Sequence, residues 1–90
     1  MNFEWDPKKA EANLRKHGVS FDEAVSAFLD PLAASGPDPD HSVGEHRFIT
    51  FGQSSLGRLV AVHHAHRPGT IRIFSARRMT RAERKLYEEG

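Results

Sequence analysis

Two residue types in this chain suit chemistry on a phosphate. Arginine binds phosphate oxygens bidentately and stays charged, and Arg72 and Arg77 stand five residues apart near the C-terminal end. Histidine transfers protons near neutral pH, and His63, His64 and His66 cluster just upstream. From Arg67 to Lys85 seven cations stand against Glu83 alone, a net +6. A cluster of this kind points to a phosphate-bearing partner. Each residue also has an ordinary structural role to weigh. Arg72 could pair with an acidic residue of a core helix, Arg77 could anchor the helix that follows it, and a partly buried, hydrogen-bonded histidine is the most frequent case for each of the three.

The elements that must position these residues can be read in turn. Ile71 to Glu88 begins with strand alternation, Ile71 and Ile73 against Arg72, and then Thr80 and Glu83 form a capping box that opens a helix. Asp6-Pro7 announces an earlier helix that runs to about His17 and stops at Gly18, with Ala10, Leu14 and His17 on its narrow apolar face. Its weak stripe predicts a helix lying across a surface. Ser20 and Glu23 start a second helix, stapled by Val19 against Ala24. Phe21, Ala24, Val25, Phe28 and Leu29 form its core face up to Asp30-Pro31. Phe3 and Trp5, ahead of the first helix, read as packing residues.

Strands are expected as a short edge at Leu32 to Ser35, then at Glu45 to Gly52 and Arg58 to His66, with a loop over 36–44. Pro68-Gly69 fits a type II turn. Counting back from it pairs Arg67 with Thr70, His66 with Ile71, Ala65 with Arg72, His64 with Ile73 and His63 with Phe74. One face then carries Val60, Val62, His64, His66, Ile71, Ile73 and Ser75, the other Leu59, Ala61, His63, Ala65, Arg72, Phe74 and Ala76. His63 shares its face with Arg72, which favours it as the acid or base. The H-H-x-H spacing leaves only His64 and His66 together on a strand, a poor metal site without a carboxylate.

The 90 residues suit one domain with a small core. The absence of cysteine excludes disulfides and thiolate chemistry, and no apolar run is long enough to span a bilayer. A soluble, cytoplasmic protein without membrane association is expected. Residues 18–46 carry six acidic groups and no Lys or Arg, a net −6 beside the basic end.

FEWDPKKAEANLRKHGVSFDEA at 3–24, DPDH at 38–41, GRLVAV at 57–62 and IRIFSARRMTRAERKLYEEG at 71–90 together resemble the BrnT family of bacterial toxins. The resemblance covers nearly the whole chain, residues 1–90 as a single toxin domain. It implies an α+β, RelE-like fold: two N-terminal helices, a small antiparallel sheet of three to four strands and a C-terminal helix. It also implies a ribonuclease of a type II toxin–antitoxin pair that stops translation by cutting RNA without metal or cofactor. The expected partner is a BrnA-like antitoxin, which carries the complex to operator DNA, with homodimerisation within that complex as a further expectation. The third strand departs from the family pattern. His64-Ala65-His66-Arg67 stands where members tend to carry a Tyr-Thr-Glu-Arg type of end, so an aromatic hydroxyl gives way to His64 and an acid to His66.

Metal-free RNA cleavage needs a base for the 2′-OH, charge stabilisation at the phosphate and a proton for the leaving 5′-oxygen. Arg72, Arg77 and His63 are the catalytic candidates. Arg78, Arg81, Lys16 and His17 are candidates for binding the RNA backbone, although cations at the end of the first helix also suit its dipole. Arg84 and Lys85 read as a solvated helix face, and the basic end could equally dock an acidic antitoxin segment. The alternative from another class is a toxin-derived binding module, impaired in cleavage by its third strand and acting within a repressor complex.

Overall fold

The computed structural model describes residues 1–38 and 46–90. Most of the expected loop over 36–44, and the expected strand start at Glu45, lie outside the described residues. The elements are β1 (Asn2–Glu4), α1 (Pro7–His17), α2 (Phe21–Ala27), β2 (Ala34–Pro37), β3 (Arg47–Gln53), β4 (Leu59–Arg67), β5 (Thr70–Arg78) and α3 (Arg81–Glu89).

The helix signals act where the sequence puts them. Asp6 accepts from the Lys8 N–H ahead of Pro7, and Gly18 takes the left-handed φ of 69° that closes α1. Ser20 accepts from the Glu23 N–H to start α2. Thr80 and Glu83 make the reciprocal capping box of α3.

The sheet has the order β1-β5-β4-β3-β2, with β1 parallel to β5 and the other pairs antiparallel. This corrects the expected antiparallel sheet of three to four strands to a mixed sheet of five among the described residues. The added strand is three residues long, too short for alternation to register, and the apolar Phe3 within it also packs on Phe28. The edge strand β2 lies two residues later than expected. An outer edge tolerates Pro37 and Gly36, and Ser35 meets Thr50 of β3 at 2.6 Å.

α2 covers one face of the sheet, crossing β3, β4 and β5. Val19, Phe21, Ala24 and Ala27 pack there on Val60, Val62, Ile73 and Ala76, with Trp5 edge-on to Phe21 at 5.8 Å. Gly52 makes this approach feasible, since a Cβ there would lie 2.6 Å from the Ala27 carbonyl oxygen. The helix ends earlier than expected, with Phe28 as its cap, and Leu29 is 82% exposed instead of core. The Asp30 carboxylate turns the chain here by accepting from the N–H groups of Leu32 and Gln53.

α1 lies along β5 beyond the end of β1. Its inner face centres on Asn13, not Leu14, which is half exposed. The buried Asn13 amide donates to the carbonyls of Val19 and Ala76 and accepts from the Ala76 N–H. A polar side chain thereby closes a strand edge that no further strand pairs among the described residues.

The β4–β5 register runs as counted from the Pro68-Gly69 turn through His64 and Ile73, and then slips. A bulge at Phe74 sets His63 opposite Ser75, Ala61 opposite Arg77 and Val60 opposite Arg78. The extra residue inverts the parity of β5 beyond it. Ala76 therefore turns into the helix-covered core, and Ser75 and Arg77 turn to the side of His63. This reverses the faces expected for Ser75 and Ala76.

Candidate active site

The face opposite α2 carries His63 from β4, Arg47 from β3, and Arg72, Phe74, Ser75 and Arg77 from β5. α3 flanks the far end of this face, where Leu86 and Tyr87 line a groove with Phe51 and Ala34. The near end stays open as a cleft of about 280 Å³, lined by Asp38, Arg47, His63, Phe74, Ser75 and Arg77. His63 and Arg77 thus meet in one cleft because of the bulge, which strict alternation along β5 would not allow.

His63 Nδ1 lies 2.9 Å from Asp38 Oδ2. Asp38 is buried, and its backbone N–H donates to the Arg47 carbonyl, extending the β2–β3 ladder by one step. A carboxylate oxygen only accepts, so Nδ1 carries the proton and Nε2 is the basic nitrogen. This is the arrangement of an imidazole oriented for proton transfer.

Arg77 makes a bidentate pair with Glu83, Nη1 to Oε1 at 2.7 Å and Nη2 to Oε2 at 2.9 Å. Glu83 holds Arg77 firmly charged, and Arg77 pulls the Glu83 carboxyl down to about 2. Arg77 therefore anchors α3 and borders the cleft at once. Arg72 lies on the same face, and its Nη1 pairs with Glu4 at 2.7 Å. The partner comes from β1 and not from the core helix, and Arg72 does not line the cleft.

The other expected residues are placed apart. Arg78 stands opposite Val60 on the α2 side, beside Gly57, Arg58 and Leu59. Lys16 and His17 end α1 where Arg58 reaches the Gly18 carbonyl. Arg81 is exposed on α3 with Arg84, Lys85, Glu88 and Glu89. Several acidic groups of residues 18–46 are engaged internally: Glu23 with Arg58, Asp30 with the Tyr87 hydroxyl and Asp38 with His63. Asp30 raises Tyr87 to about 12.

His64 faces the core. It is 1% exposed, lies between Phe28 and Phe48, and meets Thr50 Oγ1 through Nε2 at 2.7 Å. Burial pushes it down to about 4, so the ring is neutral. Its Nδ1 has no partner among the described residues, which a bare acceptor nitrogen tolerates better than an N–H would, so Nε2 donates to Thr50. His66 is exposed and packs on Phe48 and His64. The departure in the third strand thus falls on the side of the sheet away from the cleft.

Sequence reasoning missed Asp38, Arg47 and Ser75 as members of the site. Asp38 stands in the DPDH stretch that carries the family resemblance, but only the β2–β3–β4 register brings it to His63. Among the described residues, no three His, Asp or Glu side chains converge as a metal-holding group, and no helix is long and apolar enough to cross a membrane.

The chain is similar in structure to the ribonuclease toxin BrnT of Brucella abortus, known from a 1.1 Å crystal structure. The TM-score is 0.66 at 22% sequence identity, over 90% of this chain and 99% of that one. No functionally curated protein matches the chain. A family model described as the ribonuclease toxin BrnT of type II toxin–antitoxin systems matches residues 5–83. With most of its length matched, the chain belongs to the BrnT family of ribonuclease toxins.

Proposed function

We propose that this chain is a metal-independent endoribonuclease that inhibits translation by cutting RNA, and that a BrnA-like antitoxin neutralises it. The observation that carries the reading is the Asp38–His63 pair, set in one cleft with Arg77. His63 Nε2 takes the proton of a ribose 2′-OH as its oxygen forms a bond to the adjacent phosphorus. The P–O5′ bond breaks, the leaving oxygen takes a proton from water, and the products are a 2′,3′-cyclic phosphate and a 5′-hydroxyl end. Arg77 stabilises the charge that gathers on the phosphoryl oxygens, and Arg72 meets the strand at the cleft's margin. These residues supply the base and the charge stabilisation, which supports a reaction needing neither metal nor cofactor.

Arg81 on the exposed face of α3 binds the RNA backbone in this reading, with Arg78, Lys16 and His17 as contacts for a strand that passes the β5 end of the sheet. A type II toxin family implies an antitoxin partner. Its BrnA-like identity, its link to operator DNA, homodimerisation within the complex, the RelE-like relationship, a single toxin domain over residues 1–90 and a cytoplasmic setting belong to the same proposal. The binding-module alternative rested on His64 and His66, and the burial of His64 beneath α2 favours a packing role for that substitution.

The test is incubation of the purified protein with mixed RNA in excess chelator, with and without a BrnA-like partner, followed by mapping of the cut ends. Cleavage that survives chelation, leaves cyclic phosphates and is blocked by the partner supports the reading. A folded protein that binds the partner and cuts nothing overturns it in favour of the binding module.

A further inference from the structure

The arginines of this protein divide sharply by what they touch. Arg15, Arg58, Arg72, Arg77 and Arg84 each pair with a glutamate. Arg47 is different. Its guanidinium lies over the Phe74 ring, 4.0 Å from the centroid, and among the described residues no carboxylate pairs with it. A second cation reaches the same ring from α1, Lys9 Nζ at 5.8 Å from the centroid. Held by the negative face of the ring and not by a carboxylate, the Arg47 charge stays available to an anion.

The bulge makes this grouping possible. It keeps Phe74 and Ser75 together across from His63, so the ring that carries Arg47 borders the cleft that holds the Asp38–His63 pair. A cation–π contact holds the guanidinium over the ring without a conventional acceptor for its N–H donors, so the fork can still bind an anion.

We propose that Arg47, seated on Phe74 and joined by Lys9, forms a phosphate subsite of the His63 cleft that holds the RNA backbone beside the scissile bond. The ligand is a nucleic-acid phosphodiester, bound bidentately by Arg47 with Lys9 as a second charge. Phe74 is a positioning residue, acting through Arg47. The inference rests on the ribonuclease reading above for the identity of its ligand.

The experiment uses two RNAs of one sequence, one natural and one fully 2′-O-methylated so that it binds without being cut. Arg47→Ala and Arg47→Gln are expected to weaken binding of the methylated RNA by about tenfold or more, the scale of a lost charge-assisted contact. The slope of log affinity against log salt should fall by about one. Phe74→Leu should weaken binding by roughly three- to tenfold, the scale of a cation–π contact, and Phe74→Tyr should restore it. Lys9→Ala, on an exposed helix position, should lower the salt slope without disturbing the fold.

Arg47 and Lys9 variants that melt like the wild type yet bind methylated RNA within twofold, with unchanged salt slope, overturn the subsite. If natural RNA is still cut in that case, the ribonuclease reading stands without it. If natural RNA is not cut at all but methylated RNA binds in an Arg47-dependent way, the subsite stands and the cleavage reading falls. If the wild type binds neither RNA, both fall.

Discussion

His63 Nδ1 meets Asp38 Oδ2 at 2.9 Å, with the aspartate side chain 2% exposed and the imidazole 17% exposed. The buried partner fixes the ring, and in the proposed mechanism the more accessible one carries the chemistry. Asp38→Asn presents either an amide oxygen or an N–H group to Nδ1, and the second choice selects the wrong tautomer. We expect a loss of about 100- to 10,000-fold in cleavage rate with RNA affinity nearly unchanged. His63→Gln should lose at least as much. Single-turnover cleavage alongside binding of uncleavable RNA checks both, and an Asp38→Asn protein that cuts at the wild-type rate would remove the orienting role.

His64 makes stability depend on pH. Its folded value is about 4 against an ordinary 6.5, because burial beneath Phe28 disfavours the charged ring. Above pH 6.5 both folded and unfolded chains hold the ring neutral, and its cost is nil. As pH falls from 6.5 towards 4 the unfolded chain binds a proton that the fold refuses, and stability drops by up to about 3 kcal/mol. Below 4 this contribution levels off. Thermal melts across that window should show the decline, and His64→Phe should flatten it. The same variant should still cut RNA, since the ring lies on the face away from the cleft.

Much of this architecture was legible because its signals are local. Asp6-Pro7, Gly18, the Ser20 cap and the Thr80–Glu83 box each act within one turn of helix, and the Pro68-Gly69 turn fixed the first pairs of β4 and β5. The site was less legible because it depends on one non-local event. No residue near Phe74 announces a bulge, yet the bulge decides that Arg77 joins His63 and that Ala76 enters the core. Asp38 and Arg47 were obscured for a related reason, since each reaches the cleft only through the registers of β2 on β3 and β3 on β4, which no local turn signal sets. β1 was missed as a strand because three residues carry no period.

Arg77 and Glu83 should prove coupled. The pair is bidentate, partly exposed at 28% and 22% for the two side chains, and Glu83 also accepts from the Thr80 N–H. Discounted for solvent, Glu83→Gln should cost about 1–2 kcal/mol through the lost pair and weakened cap. Arg77→Ala should cost a similar amount in stability, and the double variant should cost less than the sum of the two. The cleavage readout separates them: Arg77→Ala is expected to lose about 100-fold in rate, whereas Glu83→Gln stays within a few-fold. The Glu83 carboxyl sits at about 2 against 4.5 in the unfolded chain, so the contribution is complete at neutral pH and lost only as pH falls below about 4.5. A double-mutant cycle read by denaturant unfolding measures the coupling, and additive losses would show the pair to be incidental.

Asn13 offers the sharpest test of how α1 is held against the sheet. Its amide donates 2.9 Å to the Val19 carbonyl and 2.8 Å to that of Ala76, and its oxygen accepts from the Ala76 N–H at 3.2 Å. All three contacts are buried; the two to Ala76 serve backbone groups at the edge of β5 beyond the reach of β1, and the one to Val19 ties down the connection from α1 to α2. Asn13→Ala leaves them unpaired and opens a small void, so we expect a loss of about 3 kcal/mol or more. Asn13→Asp should be at least as damaging, because a carboxylate accepts from the Ala76 N–H but cannot donate to either carbonyl and is buried with its charge. Because Ala76 lies next to both Ser75 and Arg77, loosening this edge should also reach the cleft. Chemical denaturation measures the first effect. The second should appear as a fall in cleavage rate under conditions where the variant is still fully folded, and a folded Asn13→Ala protein with the wild-type rate would show that the β5 edge and the cleft are independent.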